Sequence, residues 1–336
     1  MPRASTTQPA PPTLASASEL DEESPSQEVW GEDDFDLGFV ELDDTEDKLN
    51  VLYYGREGSG KTSHLAAMAN LPTPGRVLII NAEGGLKRRA LQLRGIDTSR
   101  IVVWPRPGEA VTFNGLTALH RKIKADLDAN PDAWAGVGFD SITEVATALR
   151  EQVTERRQDS LRRRGREFDP DLIDVSDYGT QTDQVKRILR RFRDLPCHFV
   201  ATALERIEDN GQIGPDLGPS LANAVLGYVD FVLYCKATLG TAETTSEDET
   251  PVEFRAATRP GLRYRAKDRF DITPRVLANP DFLRVWLYVN EELSEETDAA
   301  QSEFNARMAQ REARLAEERA ERDARKAAAR STRKKA

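Results

Sequence analysis

The chain has 336 residues, of which 39% are hydrophobic and 31% charged, so we expect a globular body of at most two domains with the polar excess in tails. Two cysteines and three histidines argue against a disulfide scaffold, a cysteine-rich zinc fold and a dedicated His/Cys metal site. No long apolar run and no secretory signal pattern occurs, so we expect a cytoplasmic protein without a membrane span.

The net charge of −10 comes from one end of the chain. Residues 1–47 contain fourteen acids and one base, whereas residues 48–336 contain 43 acids and 46 bases. The first eighteen residues are rich in Pro, Ser, Thr and Ala and cannot form a core. We therefore predict that residues 1–47 are a disordered acidic tail. It either keeps the protein soluble, which we favour, or mimics nucleic acid and docks in a basic groove or on a partner.

The other end of the chain, residues 291–336, consists mostly of Glu, Arg, Ala and Lys. Its helix propensity is high, but its apolar residues are too sparse for a coiled coil. We predict a charged, solvated helical tail. Its end is basic and could touch phosphates, through Arg330, Arg333, Lys334 and Lys335.

Between the tails, residues 48–290 alternate between strand and helix signals. Apolar runs predict strands at 49–54, 76–81, 101–104, 135–139, 197–203 and 229–234. Helical spacing predicts helices at 63–70, 114–128 and 183–193. This alternation predicts an α/β core domain, with a mostly parallel sheet covered by helices on both faces.

Residues 55–62, GREGSGKT, fit the phosphate-loop pattern G-x-x-x-x-G-K-[ST] between a strand and a helix. The glycines let backbone N–H groups surround a β-phosphate, Lys61 brings a cation to the β- and γ-phosphates, and the Thr62 hydroxyl coordinates magnesium. The alternative is a Gly-rich turn with an incidental lysine, which the strand–loop–helix context disfavours. The predicted nucleotide-binding residues are Gly55, Arg56, Glu57, Gly58, Ser59, Gly60, Lys61, Thr62 and Ser63.

Two acidic residues follow predicted strands. Asp140 ends the fourth strand and could hold the magnesium shell, through water, on the side opposite Thr62. Glu83 follows the second strand, 22 residues after Lys61, and could activate the attacking water. The alternative for both is an ordinary turn or helix-capping acid.

Three blocks resemble the RecA-like P-loop ATPases in sequence and order: GREGSGKTS, LIINAEGG followed by GID, and GFDSITEV. The similarity covers roughly residues 48–290 and is greatest to the short RecA-core recombination ATPases of phages, often described as AAA-type. It implies a RecA-like fold, ATP and Mg²⁺ as cofactors, and Glu83 as the catalytic base. It also implies the host cytoplasm if the protein is phage-encoded. The sequence departs from RecA at Asn81 and at the glycines before Asp140, which we expect to weaken that strand.

A further block, RAKDRF at 265–270, resembles the KNRFG motif of RadA, a RecA relative. The resemblance implies that Lys267 and Arg269 reach the γ-phosphate of a neighbouring subunit, which requires a homo-oligomer, either a ring or a filament. The alternative is a surface cluster of mixed charge. Thr202, at the end of the fifth strand, could sense the γ-phosphate.

The resemblance also implies single-stranded DNA as the partner, facing the loops at 155–177 and 205–219. In the first loop we predict DNA contacts by Arg162, Arg163, Arg164 and Arg166, because clustered arginines can follow a phosphate backbone. Tyr178 and Phe168 could stack on bases or belong to the core. The tails could dock a single-strand-binding or replication partner.

These observations predict a magnesium-dependent, DNA-stimulated ATPase that acts in recombination or repair. Two alternatives stay open. The first is a nucleotide-gated loader or adaptor that does not turn over ATP. The second is a small-molecule phosphotransferase, for which residues 151–177 could form a lid.

Overall fold

The computed structural model describes residues 48–166, 169, 173–239 and 252–335. The predicted acidic tail at 1–47 and Phe168 lie outside these residues. The described residues belong to one compact unit, which begins at Asp47.

Eleven strands lie in the described residues: β1 (Asn50–Tyr54), β2 (Arg76–Asn81), β3 (Ile101–Trp104), β4 (Trp134–Asp140), β5 (His198–Ala203), β6 (Glu205–Ile207), β7 (Ile213–Pro215), β8 (Phe231–Leu239), β9 (Val252–Ala257), β10 (Lys267–Asp268) and β11 (Val276–Ala278). The helices described there are α1 (Lys61–Ala66), α2 (Arg88–Gln92), α3 (Phe113–Ala129), α4 (Ile142–Arg163), α5 (Val175–Arg193), α6 (Pro219–Tyr228), α7 (Phe282–Val289) and α8 (Ala299–Lys335).

The main sheet has the strand order β11-β9-β8-β1-β5-β4-β2-β3, and β10 pairs with β8. The strands from β8 to β3 run parallel, whereas β9, β10 and β11 are antiparallel additions. Strands β6 and β7 form a separate hairpin. The prediction of a mostly parallel sheet is confirmed. The order also places β5 between β1 and β4, which brings the carboxyl ends of these three strands to one edge.

Both faces of the sheet are covered, which explains why its central strands read as continuous apolar runs. Leu52 and Tyr54 of β1 face a core shared with α3, α4, α5 and α6. Val51 and Tyr53 face the opposite core, which α1, α2 and α7 complete. Each of these four β1 side chains is fully buried.

Helices α4 and α5 occupy much of the segment expected to be a loop at 155–177. Helix α4 runs to Arg163, and α5 begins at Val175 rather than at 183. The Asp174 side chain accepts a hydrogen bond from the Ser176 backbone and forms a capping box with Asp177, which starts α5 earlier than its apolar periodicity indicates. Asp177 also pairs with Arg157 at 2.9 Å and so ties α5 to α4.

Helix α8 begins against the sheet and then leaves it. Phe304 is buried, and the Gln301 side chain bonds to the backbone of Ala278 and Val276 in β11. Every side chain described between Ala309 and Ala324 is exposed, so this part of α8 is solvated. None of the helices in the described ranges is both long and apolar enough to cross a bilayer.

Candidate nucleotide-binding site

The loop between β1 and α1 wraps around the first turn of the helix. Gly58 and Gly60 have φ angles of 72° and 85°, a region that favours glycine. A Cβ atom on Gly60 would also lie 2.8 Å from both His64 and Phe254. The local sequence therefore permits a tight turn that aims backbone N–H groups into the space before α1, where a phosphate is stabilised.

Lys61 lies across this loop. Its Nζ atom donates hydrogen bonds to the carbonyl oxygens of Gly55 at 2.9 Å and Arg56 at 2.8 Å. Burial lowers the pKa of Lys61, and the nearby carboxylates of Glu83 and Asp140 oppose that shift. The ammonium group is therefore fixed at the centre of the loop, with two acids close by.

Thr62, Asp140 and Thr202 form a row of hydrogen-bonded oxygens. Thr62 donates from Oγ1 to Oδ2 of Asp140 over 2.9 Å, and Thr202 donates from Oγ1 to Oδ1 over 2.7 Å. Asp140 is only 1% exposed, and burial raises its pKa while the two hydrogen bonds lower it. Hydroxyl and carboxylate oxygens are the ligands that Mg²⁺ prefers. These side chains therefore fit a magnesium ion held by Thr62 and, through water, by Asp140.

Glu83 lies at the same edge of the sheet. Asn81 is in register with Asp140, and the backbone N–H groups of Ala82 and Glu83 both donate to the Asp140 carbonyl, at 2.8 and 3.1 Å. The Glu83 side chain is exposed, and its charge acts on Lys61. The fold therefore brings an accessible carboxylate next to the phosphate loop.

A family model described as an AAA domain matches residues 47–270. The chain belongs to the AAA domain family. The match spans the phosphate loop, Thr62, Glu83 and Asp140, so this AAA domain is a nucleotide-binding P-loop ATPase fold, for which magnesium is the usual companion ion. No curated protein matches the chain at a significant level.

The glycines of β4 bring α1 of the AAA domain close to the sheet. A Cβ atom on Gly138 would lie 2.6 Å from Leu65, and one on Gly136 would lie 2.8 Å from Met68. Strand β4 nevertheless forms over seven residues, each of which is buried. The glycines allow the helix that follows the phosphate loop to pack directly on the strand that carries Asp140.

The other predicted loop residues differ in exposure. Arg56, Glu57 and Gly58 are exposed, Ser63 is half-buried in α1, and Ser59 is buried. Arg56 forms an ion pair with Glu205, with its Nε atom 2.9 Å from Oε1. Sequence reasoning did not select Glu205, although an acid directly after a parallel strand was the signal that found Asp140 and Glu83.

Lys267 and Arg269 are not brought to the phosphate loop of their own chain. Lys267 pairs in β10 with Val232, near the amino end of β8, and its Nζ donates to the carbonyls of Leu226 and Val229. Arg269 lies 3.3 Å from Asp230, one residue before β8 begins. Both cations therefore lie toward the edge of the sheet opposite the phosphate loop.

The predicted DNA-binding arginines lie at the far end of α4. This helix has 22 residues, so its end is about 30 Å from Asp140. Arg162 pairs with Asp159 at 2.9 Å, and a surface cavity of about 330 Å³ is lined by Arg163 and Arg164, among others. Arg166 follows, exposed. Cations at a helix C-terminus also complement the helix dipole, which gives this cluster a structural role.

Proposed function

We propose that this AAA domain is a RecA-like, magnesium-dependent ATPase that binds single-stranded DNA and acts in recombination or repair. The observation that carries the proposal is the Thr62–Asp140–Thr202 row beside Lys61, with Glu83 on the neighbouring strand end. It supplies a phosphate cradle, a metal site and a general base within one edge of the sheet.

Each residue has a distinct role in the proposed hydrolysis. The loop N–H groups and Lys61 hold the β- and γ-phosphates, which neutralises charge that spreads over the γ-phosphate in the transition state. Thr62 and Asp140 would hold magnesium, Asp140 through water, and the ion would neutralise phosphate charge. Glu83 accepts a proton from the attacking water, since its carboxylate is exposed while its backbone is fixed on Asp140.

The RecA-like assignment within the AAA family is supported by the order of the three sequence blocks and by their meeting in space. The acidic residue after β2 sits next to the metal-binding end of β4, as the resemblance implies. Strand β5 lies between β1 and β4, and its Thr202 side chain donates a hydrogen bond to the carboxylate of Asp140.

Single-stranded DNA is supported by a groove between α4, α5 and the start of α6, with a volume of about 690 Å³. Three cationic residues line it, Arg150, Lys186 and Arg206, together with two acidic ones, Asp183 and Asp216. The first turn of α5 and the first residues of α6 also line it, so positive helix ends add to the cationic side chains. This combination favours a polyanion.

The groove also offers a stacking surface. Tyr178 is 47% exposed, and the Arg150 guanidinium lies 5.6 Å from the centre of its ring. An aromatic face with adjacent cations is typical of sites that stack an unpaired base and hold its phosphate.

One residue of the groove, Thr143, is close in the chain to Asp140. Thr143, which lines the groove, accepts a hydrogen bond from the Leu204 backbone and donates one to the carbonyl of Asp216. It lies three residues after Asp140 in the chain. We therefore propose the groove as the main DNA contact and the arginines at 162–166 as an extension of it.

Oligomerisation remains part of the proposal. The side chain of Arg269 is 55% exposed, and it lies away from the phosphate loop of the same chain. A homo-oligomeric ring or filament would let Lys267 and Arg269 act on the γ-phosphate bound by a neighbouring subunit.

The test measures ATP hydrolysis with and without an oligo-dT strand over a salt series. We expect stimulation by DNA that falls steeply with salt, because phosphate contacts release counterions. Lys61→Ala should abolish hydrolysis, and Tyr178→Ala should remove stimulation but not basal turnover. Lys124→Ala, on the exposed surface of α3, is the matched control.

Two results would contradict the proposal. Tight ATP binding without turnover, even with DNA, would indicate a loader or adaptor instead. Hydrolysis or transfer that responds to a small acceptor but not to DNA would indicate a phosphotransferase.

A further inference from the structure

The phosphate loop is tied to the β6–β7 hairpin by one ion pair. The Nε atom of Arg56, the second residue of the loop, donates to Oε1 of Glu205, the first residue of β6. The side chain of Glu205 is 13% exposed, whereas that of Arg56 is 81% exposed. The carboxylate is therefore held in place while the guanidinium reaches it from the solvent side.

Glu205 is fixed by its surroundings. Burial raises the pKa of Tyr234, on β8, and the nearby Glu205 carboxylate raises it further. Glu205 follows β5, whose Thr202 contacts Asp140, and it pairs in the hairpin with Pro215. The side chain thus marks the junction between the metal-binding edge of the sheet and the hairpin.

The two strands of the hairpin are anchored differently. Ile213 in β7 accepts from the Tyr54 hydroxyl at 3.1 Å and from the Arg265 backbone at 3.0 Å, and its own N–H donates to Arg263. In β6, Arg206 donates to the Leu217 carbonyl at 3.2 Å, and the contact with the phosphate loop is the Arg56–Glu205 pair. A change at Arg56 would therefore release the start of β6 from the phosphate loop and leave the anchors of β7 in place.

Arg56 also has room to bind a second anion. A cavity of about 400 Å³ lies beside it, lined by Arg56, Glu57, Glu205, Arg206 and Ile207. A guanidinium binds phosphate oxygens with strong, often bidentate hydrogen bonds, whereas an exposed ion pair contributes little. A phosphate at the end of the loop is therefore a strong competitor for Arg56.

We propose that the γ-phosphate of ATP and the carboxylate of Glu205 compete for the Arg56 guanidinium. Glu205 is then a positioning residue that sets the preference of the site for triphosphate over diphosphate. Binding of a triphosphate frees β6 from the phosphate loop, whereas a diphosphate leaves the ion pair intact. The inference rests on the nucleotide site proposed above, but it requires neither hydrolysis nor DNA.

The test measures the affinities of a non-hydrolysable ATP analogue and of ADP by calorimetry. In Glu205→Gln, Arg56 loses its anionic partner, so we expect analogue affinity to rise about 3- to 5-fold, the worth of an exposed ion pair, with ADP affinity unchanged. Arg56→Gln should lower analogue affinity and not ADP affinity. The double variant Arg56→Gln, Glu205→Gln should have the same two affinities as Arg56→Gln alone, because Glu205 acts through Arg56.

Hydrogen exchange at the backbone amides of residues 206–208 provides a second readout. We expect faster exchange with the analogue than with ADP in the unmodified protein, and fast exchange with both ligands in Glu205→Gln. Asp128→Asn, which breaks the exposed Lys124–Asp128 pair on α3, is the matched control and should change neither affinity nor exchange.

The proposal is overturned if Glu205→Gln alters both affinities equally, lowers analogue affinity, or leaves exchange at 206–208 independent of the nucleotide. Failure of the ATPase proposal would show instead as absent turnover or absent DNA stimulation, which these binding measurements do not use.

Discussion

Thr202 donates a hydrogen bond to Oδ1 of Asp140 over 2.7 Å, and both side chains are buried. The other carboxylate oxygen accepts from Thr62. A buried carboxylate is costly unless its oxygens are hydrogen-bonded, so the two threonines stabilise the charged form that a magnesium shell needs. Because the hydroxyls come from α1 and β5, the proposed magnesium site depends on the packing of both elements against β4.

Thr202→Val should weaken magnesium binding. Loss of the hydroxyl leaves Oδ1 unsatisfied and raises the pKa of Asp140 further, so protons compete with the metal at higher pH. We expect magnesium affinity to fall about 10- to 100-fold, as for other residues that support a metal ligand. A magnesium titration of ATP binding at pH 6 and pH 8 measures this. Thr202→Ser keeps the hydroxyl and should behave like the unmodified protein; an equal loss in both variants would contradict the role of the hydrogen bond.

Glu83→Gln should separate binding from hydrolysis. The amide cannot accept the proton of the attacking water, so we expect hydrolysis to fall about 10²- to 10⁴-fold. ATP affinity should change little, since the loop and Lys61 hold the phosphates. Single-turnover hydrolysis and nucleotide binding are the measurements, with Glu109→Gln, an exposed acid after β3, as the control. Retained turnover in Glu83→Gln would rule out the assigned base.

Gly138→Ala should displace α1, the helix that follows the phosphate loop. The added Cβ would lie 2.6 Å from Leu65 and push α1 away from β4. We expect a loss of about 1–3 kcal/mol in unfolding free energy, the usual cost of overpacking, together with weaker nucleotide binding. Urea unfolding and ATP binding test this. Gly85→Ala has open space around its Cβ and should be near neutral; equal effects at both positions would contradict the packing argument.

His198→Asn should change how stability responds to acid. Burial lowers the pKa of His198 to about 4, and its Nδ1 accepts from the Leu49 backbone at 3.0 Å. The unfolded chain takes up this proton near pH 6.5 and the folded chain does not, so stability falls as the pH drops from about 6.5 to 4. Asparagine offers an acceptor without titrating. The difference in unfolding free energy between the unmodified protein and His198→Asn should therefore narrow by about 2 kcal/mol from pH 7 to pH 5.

Urea unfolding at the two pH values measures this difference. Burial also lowers the pKa of His64, to about 3, and that of His120, so both proteins retain these two acid-sensitive histidines and should still lose stability at pH 5. A constant gap would show that His198 is not the group that titrates.

Local patterns predicted strands β1 to β5, strand β8 and the phosphate loop, whose residues are consecutive in the sequence. They did not predict β6 and β7, which form a hairpin within the segment 205–219 that we expected to be a loop, nor β9, β10 and β11. The order of strand, glycine-rich turn and helix around Lys61 is local, and the structure reproduces it. The start of α5 was missed, because the side chains of Asp174 and Asp177 begin that helix before its apolar face appears. The packing role of the β4 glycines was not predicted, because it depends on Leu65 and Met68, which are distant in the sequence.

The sequence by itself determined the phosphate loop, the two acids that follow strands and the alternation that builds a parallel sheet. Only the tertiary structure decided which strand lies beside which. Thr202 and Asp140 are 62 positions apart, and Arg56 and Glu205 are 149 apart. Such pairs form because helices pack on both faces and fix the strand order. That order depends on the sum of many buried contacts and not on any local pattern.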